Sequence, residues 1–189
     1  MPRPPILPTL EWKRIFEHAK TFEEWLAEAE HPEHAEKMRA ATEALTVARD
    51  DYEFLRSLRR PVHVLVIAED WCGDVVRHVP VLEGLAHFAP DLQVRYIGRG
   101  TNPTVFARFL TNGGEAIPKF VFLNDHFFEC GNWGPMQEDC RRLIARGKAC
   151  GDIPMARRHV KAIYDADPHR IAVQKELLDL IEIASATSP

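Results

Sequence analysis

No apolar run in this sequence is long enough to cross a bilayer. The longest runs, such as residues 62–68, fall far below the roughly 20 residues that a spanning helix needs. The N-terminus offers no apolar signal helix either, because Pro2, Pro4, Pro5 and Pro8 interrupt it. These absences lead to the expectation of a soluble, cytoplasmic protein without a membrane partner. Excess positive charge is missing as well. The formal net charge is −4, which gives no electrostatic reason to expect nucleic acid. Only four cysteines are present, Cys72, Cys130, Cys140 and Cys150, with no close C-x-x-C or C-x-x-H pair, so no metal site is expected. With 189 residues, 46% of them hydrophobic, the chain can bury a core without disulfide staples. It also lacks internal repeats and low-complexity linkers, which favours one domain over two.

What the chain does contain is the stretch Ala68-Glu69-Asp70-Trp71-Cys72-Gly73-Asp74-Val75-Val76. An apolar run, residues 62–67, reads as a buried strand before it, and a helical pattern continues after it to about residue 88. A cysteine at such a junction faces the unpaired N–H groups and the positive end of the helix dipole, which favour a thiolate over a thiol.

Along the chain, Thr9 is a candidate N-cap for a helix carrying Leu10, Trp12, Ile15 and Phe16, and Thr21 with Glu24 has the spacing of a capping box for a second. One long helix is expected over about 32–58, with Pro32 at its first position, as a scaffold packed on the sheet. A second strand follows at 91–98, and Asn102-Pro103 opens a helix that Asn112-Gly113-Gly114 closes. Residues 119–123 and 127–130 form a hairpin signal around Asn124-Asp125, and a helix is expected at about 136–146. Two further helices are expected at about 154–165 and 168–184, the latter with Asp167 as N-cap and Pro168 at N1, and residues 185–189 should fray.

This order, with Trp71-Cys72-Gly73 at the end of the first strand, resembles the thioredoxin family. Those three residues match the start of its Trp-Cys-Gly-Pro-Cys motif. Pro80-Val81-Leu82-Glu83-Gly84-Leu85-Ala86 falls where the family has its helix proline, and Ile117-Pro118 lies near its cis-proline loop. The resemblance implies an α/β thioredoxin fold, a mixed four-stranded sheet with a β-α-β-α-β-β-α core over 62–147. Helical extensions would lie at 9–60 and 153–185 of a single domain spanning 1–189. It further implies that Pro118 follows a cis peptide and faces Cys72, presenting backbone groups to an extended peptide or a thiol.

Three departures stand inside the resemblance. Val75 occupies the place of the second cysteine, Asp74 that of the intervening proline, and Val66 that of a buried acid. Without a thiol at position 75, a mixed disulfide on Cys72 is not released from within the motif. Cys130, Cys140 and Cys150 are read as small buried hydrophobes that do not reach Cys72. The expected function is therefore a monothiol thiol–disulfide oxidoreductase, with Cys72 as the reacting group. Trp71, Gly73, Asp74, Ile117 and Pro118 would form its substrate-binding surroundings. No bound cofactor is expected; an external low-molecular-weight thiol such as glutathione acts as resolving partner. The substrate is a disulfide or thiol, protein or small molecule. The alternative is a binding module that keeps the cis-proline groove and has lost catalysis. An iron–sulfur carrier is disfavoured, because Gly-Phe-Ser does not follow Cys72 and a cluster needs further thiolates. Asp70 and Asp74 oppose the helix terminus in setting the thiol's acidity. Arg141, Arg142, Arg146, Lys148, Arg157, Arg158 and Lys161 are read as a solvated helix face.

Overall fold

The computed structural model describes residues 10–100 and 102–186. Its centre is strand β1 (Val62–Ile67), whose six residues are all buried because it is covered on both faces and flanked on both edges. Strand β2 (Leu92–Ile97) pairs with it in parallel, and β3 (Lys119–Leu123) pairs antiparallel on the other side. The outer strand β4 (Glu129–Trp133) runs antiparallel to β3, giving the order β2-β1-β3-β4. The hairpin's returning strand thus starts two residues later than the sequence suggests. Phe127 adopts a positive φ of 61° and still belongs to the turn.

Helix α5 (Gly73–Phe88) links β1 to β2 and carries Cys72 at its N-cap. Val75, Val79, Leu82 and Leu85 recur at helical spacing and are fully buried. On its outer side Gly84 lies against Leu45, close enough that a β-carbon at position 84 would overlap the Leu45 side chain. Val75, at the place of a second cysteine, is therefore packed core.

The N-terminal helices share this core. Helix α1 (Trp12–Glu17) has Glu11 at its N-cap; Thr9 lies outside the described residues. Helix α2 (Phe22–Ala27) begins with the reciprocal Thr21–Glu24 capping box. Just before it, Lys20 exchanges both backbone hydrogen bonds with Tyr96, which covers part of the outer edge of β2. The single helix expected over 32–58 is two, α3 (Pro32–Glu43) and α4 (Arg49–Arg56). The break arises where Leu45 leaves the helix to bury itself on Gly84, followed by β-branched Thr46 and Val47 and an extended Ala48.

After β2, the segment opened by Asn102-Pro103 forms only α6 (Pro103–Phe106) and one 3-10 turn (Ala107–Phe109). Beyond β4 the chain departs from expectation. Helix α7 (Glu138–Cys150) runs through Gly147 and ends at Gly151, which supplies the left-handed φ of 75°. It packs against α8 (Ile153–Ala166) as a helical hairpin. The helix that covers β4, β3, β1 and α5 is α9 (Ile171–Ser185), through Val173, Leu177, Ile181 and Ala184. The last helix of the sheet-packed core is thus α9, not the one at 136–146, and α7–α8 is an insertion ahead of it. Asp167 does accept hydrogen bonds from the first amides of α9, Ile171 N at 2.9 Å and Ala172 N at 3.0 Å, but the N-cap position itself is Arg170. Ser185 ends α9, and residues 187–189 of the expected frayed end lie outside the described residues.

Candidate functional site

The turn between β1 and α5 is held from both sides. Glu69 accepts a hydrogen bond from the Arg99 amide at 2.6 Å, beyond the end of β2. Buried Asp70 accepts one from the His31 amide at 2.6 Å, and its carbonyl accepts one from His34 Nδ1 at 2.8 Å. The Asp70 carboxylate is thereby engaged with the start of α3. His31, through its amide, and His34, through its ring, help to fix the turn. Trp71 is 49% exposed, Gly73 is exposed, and Cys72 between them is half-buried with an extended backbone (φ −83°, ψ 121°).

The Ile117–Pro118 peptide is cis, and the Ile117 carbonyl accepts a hydrogen bond from Cys72 Sγ at 3.5 Å. The structure thus brings Cys72 and Ile117 into contact, with Pro118 buried just behind. A carbonyl facing the sulfur favours the protonated thiol, because only the thiol can donate to it. Burial pushes the Cys72 thiol above its ordinary pKa; the Val75 and Asp74 amides pull it down, and the Asp74 charge adds to the rise. The helix N-terminus acts in the expected direction, but desolvation outweighs it.

Asp74 turns away from bulk solvent into a polar cluster. Tyr164, from α8, donates its hydroxyl to Asp74 Oδ1 at 3.0 Å, and His78 Nε2 lies 3.1 Å from the same hydroxyl. Burial holds His78 neutral, its pKa pushed down to about 3, with the Arg77 and Arg170 charges acting in the same sense. Because the Tyr164 hydroxyl donates its hydrogen to Asp74, His78 must donate from Nε2, which leaves its buried Nδ1 without a partner among the described residues. Arg77 donates to the carbonyls of Tyr164 and Asp167, 3.0 Å each, and its guanidinium lies 4.1 Å from the centre of the Tyr164 ring. Arg77 and His78 thus tie α5 to the inserted hairpin. Burial raises the Asp74 pKa, against the Tyr164 hydrogen bond and the Arg77 charge. Nothing in the local sequence marks Tyr164, although it continues the four-residue spacing of the buried Ala156 and Val160 on α8.

The expected effect of neutralising position 74 follows from these contacts. Asp74→Asn keeps an acceptor for Tyr164 and removes the negative charge, so the Cys72 pKa should fall. Alkylation by iodoacetamide at pH 7 should accelerate about threefold to tenfold. A rate–pH profile that coincides with the parent's would show that the Asp74 charge does not reach the sulfur.

Cys72 opens onto a cleft of about 470 Å³ between its own loop, the segment before Pro118 and the α7–α8 hairpin. Ile117, Met136, Ile144, Ile153 and Val160 supply apolar walls. All four cysteines are free thiols. Cys140 is buried as read from the sequence, and burial followed by the Asp139 charge pushes its pKa up to about 11. Cys130 on β4 is half-buried and Cys150 at the end of α7 is exposed, so neither is the buried hydrophobe expected. No group of three or more His, Cys, Asp and Glu side chains placed to hold a metal occurs among the described residues, nor is any helix there long and apolar enough to cross a membrane.

A family model described as thioredoxin matches residues 19–149. Among solved structures, the chain is similar to a protein of unknown function from Pseudomonas aeruginosa, with a TM-score of 0.70 and 17% identity, covering 92% of this chain and 98% of that one. It is also similar to an HIV epitope-scaffold, with a TM-score of 0.66 and 15% identity over the same shares. At these identities the likeness shows the fold alone. No curated protein matches the chain.

Proposed function

This chain belongs to the thioredoxin family, and from that premise we propose that it is a monothiol thiol–disulfide oxidoreductase acting through Cys72 in the cytoplasm. The observation that carries the reading is the placement of one free thiol at the N-cap of α5. It contacts the carbonyl that precedes Pro118 and opens onto a cleft. Val75 leaves the motif without a second sulfur, so resolution comes from outside.

The chemistry is two successive exchanges. Cys72 loses its proton and attacks one sulfur of a disulfide R–S–S–R′, forming a Cys72–S–S–R bond while R′S⁻ leaves and takes up a proton. A low-molecular-weight thiol such as glutathione then attacks the R sulfur as its thiolate, and Cys72 departs as thiolate. A second external thiol repeats the attack on the new mixed disulfide, so two thiols are oxidised to one disulfide for each substrate disulfide reduced. A cytoplasmic glutathione pool supplies the reductant. Trp71 and Gly73 flank the incoming disulfide, and the Ile117-Pro118 segment supplies backbone groups beside the sulfur.

A second reading is favoured by the raised Cys72 pKa and the half-exposed Trp71: a binding module that retains the groove without turnover. One experiment separates the two. Glutathione-linked reduction of hydroxyethyl disulfide is expected to depend on Cys72 and to vanish in Cys72→Ser. The thiol should alkylate along a single titration curve with its midpoint above that of free cysteine. An unreactive thiol and no Cys72-dependent turnover would overturn the oxidoreductase reading, and undiminished partner binding by Cys72→Ser would then support the module.

A further inference from the structure

The cleft beside Cys72 carries a charge opposite to that of the molecule. Four cations line it, Arg99, Arg141, Lys148 and Arg157, against two carboxylates, Asp74 and Glu115, in a chain whose formal net charge is −4. Not all of that charge is free. Glu115 lies 3.7 Å from Arg99, and Arg141 donates to the Met136 carbonyl and sits 4.0 Å from Glu176. Asp74 is drawn into the Tyr164 cluster, where it accepts from the Tyr164 hydroxyl. Lys148 on α7 and Arg157 on α8 have no carboxylate partner among the described residues. Both are exposed, and both line the Cys72 cleft from the inserted hairpin.

We infer that this cleft selects small thiols and disulfides that carry carboxylates, and that Lys148 and Arg157 are the residues that select them. The inference rests on the monothiol reading and names the class of partner which that site takes. A small molecule is favoured over a protein strand by the size of the space. A cleft of about 470 Å³ lies within the range that encloses a ligand of a few tens of atoms, and its third wall is the α7–α8 hairpin. Apolar contact with Ile144, Ile153 and Val160 would hold the body of such a molecule while its carboxylates meet the two free cations. Two unpaired cations at a partly enclosed rim set rate and preference more than gross affinity.

The test uses the full chain and three disulfides of different charge. These are oxidised glutathione, which carries carboxylates, hydroxyethyl disulfide, which is neutral, and cystamine, which is cationic. In each case Cys72 forms the mixed disulfide and one thiolate leaves, so mass spectrometry reads the rate directly. With the parent, oxidised glutathione should react fastest, and its rate should fall with rising ionic strength. In the Lys148→Glu, Arg157→Glu double variant the ratio of the glutathione to the hydroxyethyl disulfide rate should fall about tenfold, and cystamine should gain. Ratios unchanged within twofold would overturn the assignment, as would a Glu-rich peptide disulfide that outruns oxidised glutathione on the parent. If Cys72 reacts with none of the three, the monothiol reading fails separately. The charge preference is then read by titrating S-methylglutathione into Cys72→Ser with and without the two reversals. About tenfold weaker binding in the reversed protein supports the inference, and equal binding or none at millimolar concentration overturns it.

Discussion

Gly134→Ala is expected to cost about 4 kcal/mol of folding stability, lowering the melting temperature by roughly 10 °C in a chain of this size. Gly134 has a φ of 115°, which an L side chain rarely adopts. A β-carbon placed there would overlap the Pro118 carbonyl oxygen and lie 3.1 Å from its carbon, so both obstacles are backbone and neither can rotate aside. The position is tied down further by Lys119, a buried side chain that donates from Nζ to the Gly134 carbonyl at 2.7 Å. Burial, with the Arg141 charge, pushes the Lys119 pKa down to about 8, so a shift of that carbonyl strands a costly buried amine. The damage should extend past stability. Whatever room the alanine gains is taken from Pro118, and the preceding carbonyl is the one Cys72 Sγ contacts. Thermal unfolding and Cys72 alkylation should therefore change together. A variant within about 1 kcal/mol of the parent would show that the β4–α7 junction gives way without moving Pro118.

The contrast between Gly134 and Cys72 illustrates which parts of the molecule are legible in the sequence. Strand β1, the Thr21–Glu24 capping box and Cys72 at the start of α5 are set by neighbours a few residues away. A short unbroken apolar run, capping chemistry and a strand-to-helix switch therefore reveal them. Gly134 reads as chain punctuation, because the oxygen that requires a glycine there belongs to Pro118, a residue met only in three dimensions. The same holds for α7 and α9. Both are amphipathic, and nothing local says that α9 covers the sheet while α7 pairs with α8. Tyr164 reaches Asp74 across 90 positions of sequence, so its role is invisible until the hairpin is folded. Arg141, Lys148 and Arg157 show a subtler case. Lys148 and Arg157 are exposed, as a solvated face requires, yet the antiparallel pairing of α7 and α8 turns that face toward the Cys72 cleft. A reading of charge along one helix has no access to the space between two.

Glu83→Gln should stabilise the protein at pH 8 by about 2 kcal/mol relative to the parent and leave the two near parity at pH 4.5. Glu83 sits within the Pro80–Leu85 pattern of α5, where it accepts a hydrogen bond from the Tyr96 hydroxyl at 2.6 Å. Burial pushes its pKa from an ordinary 4.5 up to about 7; the Tyr96 bond and Arg95 pull down, and Glu23 pushes further up. A folded-state pKa above the unfolded one means that the native protein holds a proton the unfolded chain has released. The stabilisation is complete below about pH 4.5 and is lost as the pH rises through about 7. The rise from 4.5 to about 7 corresponds to roughly 3 kcal/mol, which the partial exposure of the side chain trims to about 2. Glutamine carries no charge to desolvate and still accepts from Tyr96, so it removes the penalty and keeps the contact. Urea unfolding of both proteins at the two pH values reads the difference directly and cancels the other carboxylates common to both. Trp25 stacks on Tyr96 at 4.8 Å, so its fluorescence should report the same transition from the N-terminal helices. An equal gain at both pH values would mean that glutamine acts by packing. No gain at either would place the Glu83 carboxylate in water. Only a gain confined to high pH assigns to α5 a buried acid whose pKa the native fold raises.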